Sequence, residues 1–535
     1  MTTETNTIDF SKFANLSPFE LKDKLIEVAQ TVPDRALLDA GRGNPNFLAT
    51  LPRRAFLRLG DFALEESERT YSYLNGGFGG IPDGVGIVER FDTFAKQNAN
   101  AEGVKFLQKA LSYTKDRLGI DKQVFLNELV NAFLGCNYPV PDRMLTNIEQ
   151  VVKQYIGQEM YGNIPMSHDF DLFATEGGTA SMTYSFQSMF NNGLLKKGDK
   201  IALITPIFTP YLEIPELAEY ELEIVELRLD EETWQLPDAE IAKLEDTNIK
   251  LLCVVNPANP ASVKMSDETL DKIATLIDTK RKDLFIITDD VYGTFADDFV
   301  SLFAKCPYNT LCVYSFSKYF GATGWRLGVI GIQHNNVFDD ALQNQSEEQK
   351  LLLDDRYKTL TPEPRTIKFI DRMVAESRGV ALNHTAGLSL PQQVQMALFS
   401  LACLMDAEET YKDACKNIIR QRYNTLYKNM GVEMEKDVNR VDYYTLLDLD
   451  VLGAKMYGQE FVDWFKGNNK GKDFLFRLAH ETGVILLPGK GFDVVHGSVR
   501  VSLANLTHHE YELIGRETRK VLDEYYNDFI TATQA

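Results

Sequence analysis

The chain has 535 residues, 44% of them apolar and 25% charged, so it is long enough for two or more domains with a large core. The formal net charge of −21 argues against nucleic acid or an anionic membrane as a partner. The six cysteines show no C-x-x-C spacing, which indicates neither a disulfide framework nor a metal site. Without a signal-peptide pattern or a long apolar run, we expect a cytoplasmic protein that binds no metal.

In chain order, an N-terminal segment (1–55) precedes a mostly helical insertion (56–135). Short apolar runs then alternate with helical patterns between about residues 170 and 333, which is typical of a parallel or mixed sheet covered by helices. The predicted strands are Leu172–Thr175, Ile201–Thr205, Leu251–Asn256, Leu284–Thr288, Leu311–Tyr314 and Leu327–Ile332. We therefore expect an α/β fold whose large domain covers residues 136–391.

A second insertion, polar and helical, is predicted at 335–380. Each insertion is open to two interpretations, a solvated helical excursion or an oligomer interface. Residues 392–535 are predicted to form a smaller α+β domain, against which the 1–55 segment packs. Its predicted elements are a long helical stretch (Gln393–Met430), three strands (Tyr444–Leu449, Val484–Leu487 and Ser498–Ala504) and a last helix.

Lys318 follows the predicted strand Leu311–Tyr314, at the kind of strand end where open α/β sheets place their ligand sites. Ser315 and Ser317 precede the lysine, and Arg326 follows it. Hydroxyl groups and a guanidinium suit a phosphate, and an amine suits a carbonyl. The cluster therefore favours a phosphorylated aldehyde held covalently on Lys318, although the lysine motif alone also fits a surface lysine.

Three other strand ends carry chemistry. Gly177-Gly178-Thr179 opens a helix, so its backbone N–H groups can bind an anion. In Asn256-Pro257-Ala258-Asn259 the proline fixes the backbone and leaves the amides to face a ligand. Asp289 ends an apolar strand shortly before Tyr292, and a buried carboxylate is costly unless it meets a cation or donors. A protonated pyridine nitrogen would serve.

In this order, the motifs resemble those of the pyridoxal-phosphate enzymes with the aspartate aminotransferase fold (fold type I). The resemblance covers about residues 135–333 and 385–505. It implies a mostly parallel seven-stranded sheet, a smaller α+β domain, pyridoxal 5'-phosphate as the cofactor and at least a homodimer.

The resemblance also implies roles for individual residues. The catalytic ones are Lys318, which binds the cofactor, Asp289, which pairs with its pyridine nitrogen, and Tyr292, which donates to its phenolic oxygen. Arg500 matches the arginine that binds the substrate α-carboxylate, and Asn259 lies with it in the substrate site. The remaining cofactor contacts are Gly178, Thr179, Phe208, Asn259, Ser315, Arg326 and, towards the neighbouring subunit, Tyr138.

The length and both insertions resemble one branch of this family more closely, the L-aspartate 4-decarboxylases. Arg42 and Gly43 replace the usual motif near the N-terminus and are candidate substrate contacts. Thr385 stands where dicarboxylate aminotransferases place an arginine for the distal carboxylate. The resemblance therefore implies decarboxylation of L-aspartate to L-alanine and CO2, with transamination as a side activity. It further implies a homodimer or a higher homo-oligomer, up to a dodecamer.

Two other functions remain open. An aspartate or aromatic amino-acid aminotransferase without decarboxylase activity would share every cofactor residue. A non-enzymatic regulator on the same fold would need a DNA-binding appendage, which the acidic balance and the lack of a basic recognition helix disfavour.

Overall fold

The computed structural model of the protein describes residues 16–33, 35–166, 168–383, 386–434, 437–468 and 470–534. Its strands are β1 (Leu38–Asp39), β2 (Phe170–Thr175), β3 (Lys200–Thr205), β4 (Glu223–Arg228), β5 (Ile249–Val255), β6 (Phe285–Asp289), β7 (Thr310–Ser315), β8 (Gly328–Gln333), β9 (Tyr444–Asp448), β10 (Val484–Ile485), β11 (Leu487–Pro488) and β12 (Ser498–Ser502).

The first ten helices are α1 (Pro18–Ala29), α2 (Thr50–Thr70), α3 (Ile87–Gln97), α4 (Glu102–Leu118), α5 (Lys122–Leu134), α6 (Thr146–Met160), α7 (Gly178–Asn191), α8 (Pro210–Glu216), α9 (Asp238–Ala242) and α10 (Asp267–Lys280). The others are α11 (Leu302–Lys305), α12 (Val337–Gln343), α13 (Glu347–Tyr357), α14 (Phe369–Glu376), α15 (Leu390–Leu404), α16 (Thr410–Met430), α17 (Leu449–Tyr457), α18 (Gln459–Gly467), α19 (Lys470–Thr482) and α20 (His508–Gln534).

The central sheet of the described chain has seven strands in the order β2-β8-β7-β6-β5-β3-β4. Strand β8 runs antiparallel to both of its neighbours, while the other adjacent pairs are parallel. This confirms the predicted α/β fold with a mostly parallel seven-stranded sheet. Because of these directions, the carboxyl ends of β2, β3, β5, β6 and β7 and the start of β8 meet at one edge of the sheet.

The six strands predicted for this sheet are present, with ends displaced by at most two residues. The prediction missed β4, which lies at the sheet edge and is only partly buried. Its sequence, Glu-Ile-Val-Glu-Leu-Arg, mixes charged and apolar residues because part of the strand faces solvent. It therefore lacks the continuous apolar run by which the buried parallel strands were found.

The C-terminal part of the chain differs from the prediction in two places. The expected strand Val484–Leu487 is divided between two sheets, because β10 pairs with β1 whereas β11 pairs with β12. The expected helix Gln393–Met430 is two helices, α15 and α16. At the break, the Asp406 carboxylate accepts hydrogen bonds from the Thr410 hydroxyl and the Tyr411 N–H, so it serves the start of α16 as a capping side chain would.

The two insertions are helical and contact the body of the fold. Helices α2–α5 belong to the first, and α12–α14 to the second. In the second, buried Glu376 accepts hydrogen bonds from Tyr357 and from Ser188 of α7. The domain boundaries stay a proposal. The pairing of β1 with β10 supports the predicted packing of the N-terminal segment against the C-terminal domain. None of the described helices is both long and apolar enough to cross a membrane.

Gly328 at the start of β8 provides a test of the close packing at the sheet edge. A Cβ on this residue would lie 2.6 Å from the backbone carbonyl carbon of Gly177. We therefore expect Gly328→Ala to lower the free energy of unfolding by about 1–3 kcal/mol, the usual effect of overpacking. Urea denaturation would measure this loss. The matched control is Gly331→Ala on the same strand, whose Cβ would lie 3.4 Å from Leu172; an equal loss in both variants would contradict the prediction.

Candidate active site

A cavity of about 190 Å³ lies at this edge of the central sheet. It brings together most of the site residues predicted from the sequence. Those that line it are Gly43, Gly178, Thr179, Phe208, Asn259, Asp289, Tyr292, Ser315, Lys318, Arg326 and Arg500. Arg42 and Tyr138 are not among the lining residues, and Thr385 falls outside the described residues.

One end of the cavity is built to bind an anion. Helix α7 begins here, and in the described chain no side chain caps its first N–H groups, which are therefore available to a ligand. Gly177 has a φ of 96°, and a Cβ on it would lie 2.6 Å from Nη2 of Arg326. Glycine is thus needed both for the backbone conformation and for the approach of the guanidinium.

Arg326 itself adopts a left-handed backbone conformation, with φ 54°. Such a conformation costs on the order of 1 kcal/mol or more in a residue other than glycine, and it persists only where the surroundings impose it. The Nη1 group of Arg326 donates to the Thr323 carbonyl at 3.0 Å. The guanidinium is thereby held beside the start of α7, where it adds a full positive charge to the anion site.

Asp289 lies at the end of β6. The loop that carries Lys318 lies between it and the anion site. Burial raises its pKa from 3.8 to about 6, although hydrogen bonds from Val291 and Tyr211 and the charge of Lys318 act in the other direction. The Tyr211 hydroxyl donates to Oδ2 at 3.4 Å. A buried carboxylate of this kind is stabilised by a cation placed beside it.

Lys318 reaches the cavity from the loop that follows β7, and its Nζ donates to the Gly43 carbonyl at 3.1 Å. The Tyr443 hydroxyl donates to the same carbonyl at 2.7 Å. A Cβ on Gly43 would lie 2.4 Å from the Tyr444 hydroxyl and 3.1 Å from Nζ of Lys318. A side chain at position 43 would therefore displace the lysine or the tyrosine.

Helix α2 supports the loop that carries Lys318. The guanidinium of Arg53 donates to the carbonyls of Phe320 and Gly321 at 3.0 and 2.8 Å. It also contacts the rings of Trp325 and Phe399, at 5.0 and 5.2 Å from their centroids. The cation thus binds the loop through two hydrogen bonds and a cation–π contact with Trp325, and it contacts helix α15 through Phe399.

Arg500 is a fully buried cation that has no acidic partner among the described residues. Its Nη1 donates to Oδ1 of Asn259 at 3.1 Å and its Nη2 to the Gly41 carbonyl at 2.8 Å. No described residue accepts a hydrogen bond from Nε or forms an ion pair with the guanidinium, and burial lowers the pKa of Arg500. An unpaired buried charge is unfavourable, so the arrangement calls for an anionic ligand such as a carboxylate.

The two predicted residues outside the lining are exposed. The Arg42 side chain is 59% exposed, and its Nε pairs with Oδ2 of Asp39 at 3.0 Å. Tyr138 is 68% exposed. Their proposed roles, at the substrate's distal carboxylate and in a neighbouring subunit, stay predictions.

The sequence analysis missed several residues of the lining, namely Phe19, Val255, Val291, Thr323 and Tyr444. The signal for Tyr444 lies in the pairing of β9 with β12. Arg500 lies opposite Leu446 and Ser502 lies opposite Tyr444, so Arg500 and Tyr444 are diagonal neighbours on one face of the sheet, where long side chains meet. That register cannot be read from either segment alone.

These side chains fit pyridoxal phosphate. The start of α7 and Arg326 match its phosphate, and Lys318 matches its aldehyde. Asp289, with its raised pKa, matches a protonated ring nitrogen. Among the described residues, no group of three or more His, Cys, Asp or Glu side chains is arranged to hold a metal ion.

The chain belongs to the class I and II aminotransferases. The sequence profile of that family matches residues 172–514, which include all of the central sheet except the first two residues of β2. Enzymes of this family depend on pyridoxal phosphate, so the family membership and the lining of the cavity agree on the cofactor.

A relative from Pseudomonas sp. is 55% identical over 97% of this chain and 98% of its own length. It is a bifunctional aspartate aminotransferase and L-aspartate beta-decarboxylase. An aspartate aminotransferase from Pyrococcus horikoshii is 27% identical over 37% of this chain and 48% of its own length.

Solved structures agree on the fold. A Pyrococcus protein superposes with a TM-score of 0.58 at 18% identity, covering 96% of this chain and 98% of its own. A Thermus thermophilus aspartate aminotransferase variant gives 0.55 at 17% identity, with the same coverage.

The raised pKa of Asp289 predicts a pH-dependent loss of stability in the cofactor-free protein. Because the folded pKa lies above the unfolded one, stability is greatest with the carboxyl protonated and falls as the pH rises through about 6. The shift of about two pKa units corresponds to about 3 kcal/mol over the window from 3.8 to about 6, and about half of that is lost above pH 5. We therefore expect Asp289→Asn to stabilise cofactor-free protein more at pH 8 than at pH 5. Urea denaturation at both pH values would measure this, and an equal effect at both would contradict it.

Proposed function

We propose that the protein converts L-aspartate to L-alanine and CO2 by pyridoxal-phosphate-dependent β-decarboxylation, with aspartate transamination as a secondary activity. The principal support is the 55% identity to the bifunctional Pseudomonas relative, which extends over nearly the whole of both chains. The similarity therefore includes both insertions as well as the family's catalytic part.

Pyridoxal phosphate, when bound, supplies an electron sink for the bonds that break in an amino-acid substrate. The residues of the chain position the substrate and move its protons. Arg500 binds the α-carboxylate and fixes its orientation, because its guanidinium is anchored by Asn259 and Gly41. Lys318 removes and returns the proton at the substrate's α-carbon. Asp289 keeps a proton on the ring nitrogen, since a carboxylate beside it stabilises the positive charge.

The arginines that line the cavity leave none free for the distal carboxylate of aspartate, which supports decarboxylation over simple transamination. The arginines that line it in the described chain are Arg326, at the anion site, and Arg500. Neither is free to bind the distal carboxylate of aspartate once cofactor and α-carboxylate are bound. Because this carboxylate must lose its charge as CO2, a strong ion pair with it would stabilise the ground state and slow the step.

Arg42 is the residue that we assign to orienting the distal carboxylate. It flanks Gly43, which lines the cavity, and its ion pair with Asp39 can exchange for one with the substrate. An exposed ion pair of this kind contributes little to stability, so exchanging it costs little free energy. The result would be a weak contact that orients the carboxylate without holding it in its ionised form.

The alternative is an aspartate or aromatic amino-acid aminotransferase without decarboxylase activity. It would use the same cofactor residues and the same arginine for the α-carboxylate. The Pseudomonas relative favours the decarboxylase, because it combines both activities.

We also propose that the chain self-associates, as a homodimer or a higher homo-oligomer. Exposed apolar side chains lie on one face of α2 at Leu57 and Leu64 and continue beyond its end at Tyr71, Tyr73 and Phe78. Exposed apolar side chains that lie near one another in this way are typical of protein interfaces. This supports an interface, rather than a solvated excursion, as the role of the first insertion.

We place the protein in the cytoplasm, where its unpaired cysteines stay reduced, and assign it to alanine synthesis.

Labelled aspartate tests the proposed reaction. With 13C in the β-carboxyl group and no 2-oxo acid present, purified protein should release labelled CO2 and one alanine for each CO2. Lys318→Ala should lower this rate by about 10²–10⁴-fold, the range for a lost acid–base group. Mass spectrometry would measure both products. Formation of the 2-oxo acid without alanine would instead support the aminotransferase.

Arg42 is tested by comparing aspartate with alanine, which lacks the distal carboxylate. Arg42→Ala should weaken aspartate binding roughly tenfold, the effect of losing about 1.4 kcal/mol from a charge-assisted hydrogen bond, and should leave alanine binding unchanged. Asp39→Asn should tighten aspartate binding only slightly, because the ion pair that it removes contributes little. Spectroscopic titration of the bound cofactor would give the affinities. Equal losses for both amino acids would remove Arg42 from this role.

The interface on α2 is tested by changing its apolar face. Leu57→Glu combined with Leu64→Glu should reduce the molecular mass in solution towards that of the 60.6 kDa chain, because two charges would be buried in the contact. Light scattering measures this mass. Val451→Glu, at an exposed position on α17, is the control and should leave the mass unchanged.

A further inference from the structure

Two tyrosine hydroxyl groups face each other in the wall of the cavity. The oxygens of Tyr292 and Tyr444 are 2.8 Å apart, and either can be the donor. Both residues are buried, with 4% and 2% of their surfaces exposed. In the described part of the chain, neither hydroxyl has another hydrogen-bond partner. A further hydrogen bond can therefore form only with a ligand on the cavity side.

The direction of this hydrogen bond matters for the cofactor. If Tyr292 donates to Tyr444, its only proton is used and it can give nothing to a ligand. If Tyr444 donates, the proton of Tyr292 is free to point into the cavity. A hydroxyl that accepts a hydrogen bond is also polarised into a stronger donor. The phenolate oxygen of pyridoxal phosphate is an acceptor, so binding of the cofactor selects the direction from Tyr444 to Tyr292.

The ring of Tyr444 has a second neighbour. The guanidinium of Arg500 lies 4.2 Å from its centroid and 4.6 Å from that of Phe492. Arg500 is therefore enclosed by two aromatic faces, while Asn259 and Gly41 hold its edge. Contacts of this type stabilise a desolvated cation and limit rotation of its plane.

We propose that Tyr444 is a positioning residue of the cofactor and substrate sites. Its hydroxyl fixes Tyr292 as a hydrogen-bond donor to the cofactor, and its ring fixes the plane of Arg500 for the substrate carboxylate. This rests on the proposed function only in its cofactor and in the carboxylate of its substrate, and not on which carbon–carbon bond breaks.

The hydroxyl is tested with Tyr444→Phe, which keeps the ring. The readout is the pH at which the absorbance of the bound cofactor changes, since this reports proton loss from its linkage to Lys318. A hydrogen bond to the phenolate stabilises the deprotonated linkage, so weakening it should raise that pH by about half a unit or more. Tyr427→Phe is the control, because it removes a buried hydroxyl bonded to Thr445 of the same strand and should not shift the pH.

A double-mutant cycle shows whether Tyr444 acts through Tyr292. Tyr292→Phe should shift the pH further than Tyr444→Phe, and adding Tyr444→Phe to it should cause no additional shift. Replacing Tyr444 by a fluorotyrosine keeps the side chain and makes its hydroxyl a stronger donor, so it should shift the pH downward. Additive shifts in the cycle, or no shift with the fluorotyrosine, would overturn the role of the hydroxyl.

The ring is tested with a dicarboxylate that cannot react, such as maleate. Tyr444→Phe should leave its dissociation constant within about twofold of the wild type, whereas Tyr444→Leu should raise it roughly tenfold. Equal affinities in the Phe and Leu variants would overturn the role of the ring. These outcomes are separate from those that test the proposed function, because a protein without the cofactor absorbance would fail that proposal before any variant is compared.

Discussion

Asp289 and Arg500 impose the constraint on which the rest of the site depends, because both are buried charges and neither forms an ion pair with a described residue. Burial raises the pKa of the carboxyl and lowers that of the guanidinium. In both groups it therefore disfavours the charged form as long as no ligand is bound. Cofactor and substrate supply the missing opposite charges, a ring nitrogen for one and a carboxylate for the other. Binding therefore relieves a cost that folding imposes.

A site of this kind works only if its groups cannot relax towards each other or towards water. The backbone provides much of that rigidity. The Gly41 carbonyl holds Arg500, and the Gly43 carbonyl holds Lys318 and Tyr443. A short N-terminal segment thereby links residues from the central sheet with residues from the C-terminal sheet. The missing side chain at Gly43 leaves the space in which the lysine and Tyr444 approach each other.

The sequence was sufficient for the groups that stand at the ends of buried strands. Lys318 and Asp289 follow continuous apolar runs, and parallel strands bring such ends to one edge, so their convergence could be predicted. The position of Tyr444 depends on the pairing of two strands more than fifty residues apart, which no local pattern encodes. Strand β4 was missed because an edge strand is only partly buried, and the helix break at Asp406 because a side-chain cap replaced the expected glycine or proline.

The location of Arg42 shows another limit. Its place in the motif predicts a contact with the substrate, which stays a proposal, and the structure without substrate shows its side chain paired with Asp39. A sequence gives the reach of an arginine but not which of several carboxylates it meets, because exposed ion pairs differ little in free energy.

The contacts of Arg53 have a consequence for how the enzyme can be shortened. The family profile begins at residue 172, which invites the view that everything before it is an appendage on a smaller catalytic unit. Yet α2 supplies the guanidinium that binds the carbonyls of Phe320 and Gly321, and the segment before it supplies Gly41 and Gly43. A truncated protein that retained the whole central sheet would still lack the parts that hold its lysine loop and its carboxylate-binding arginine. Catalytic competence is thus spread over almost the full length of the chain.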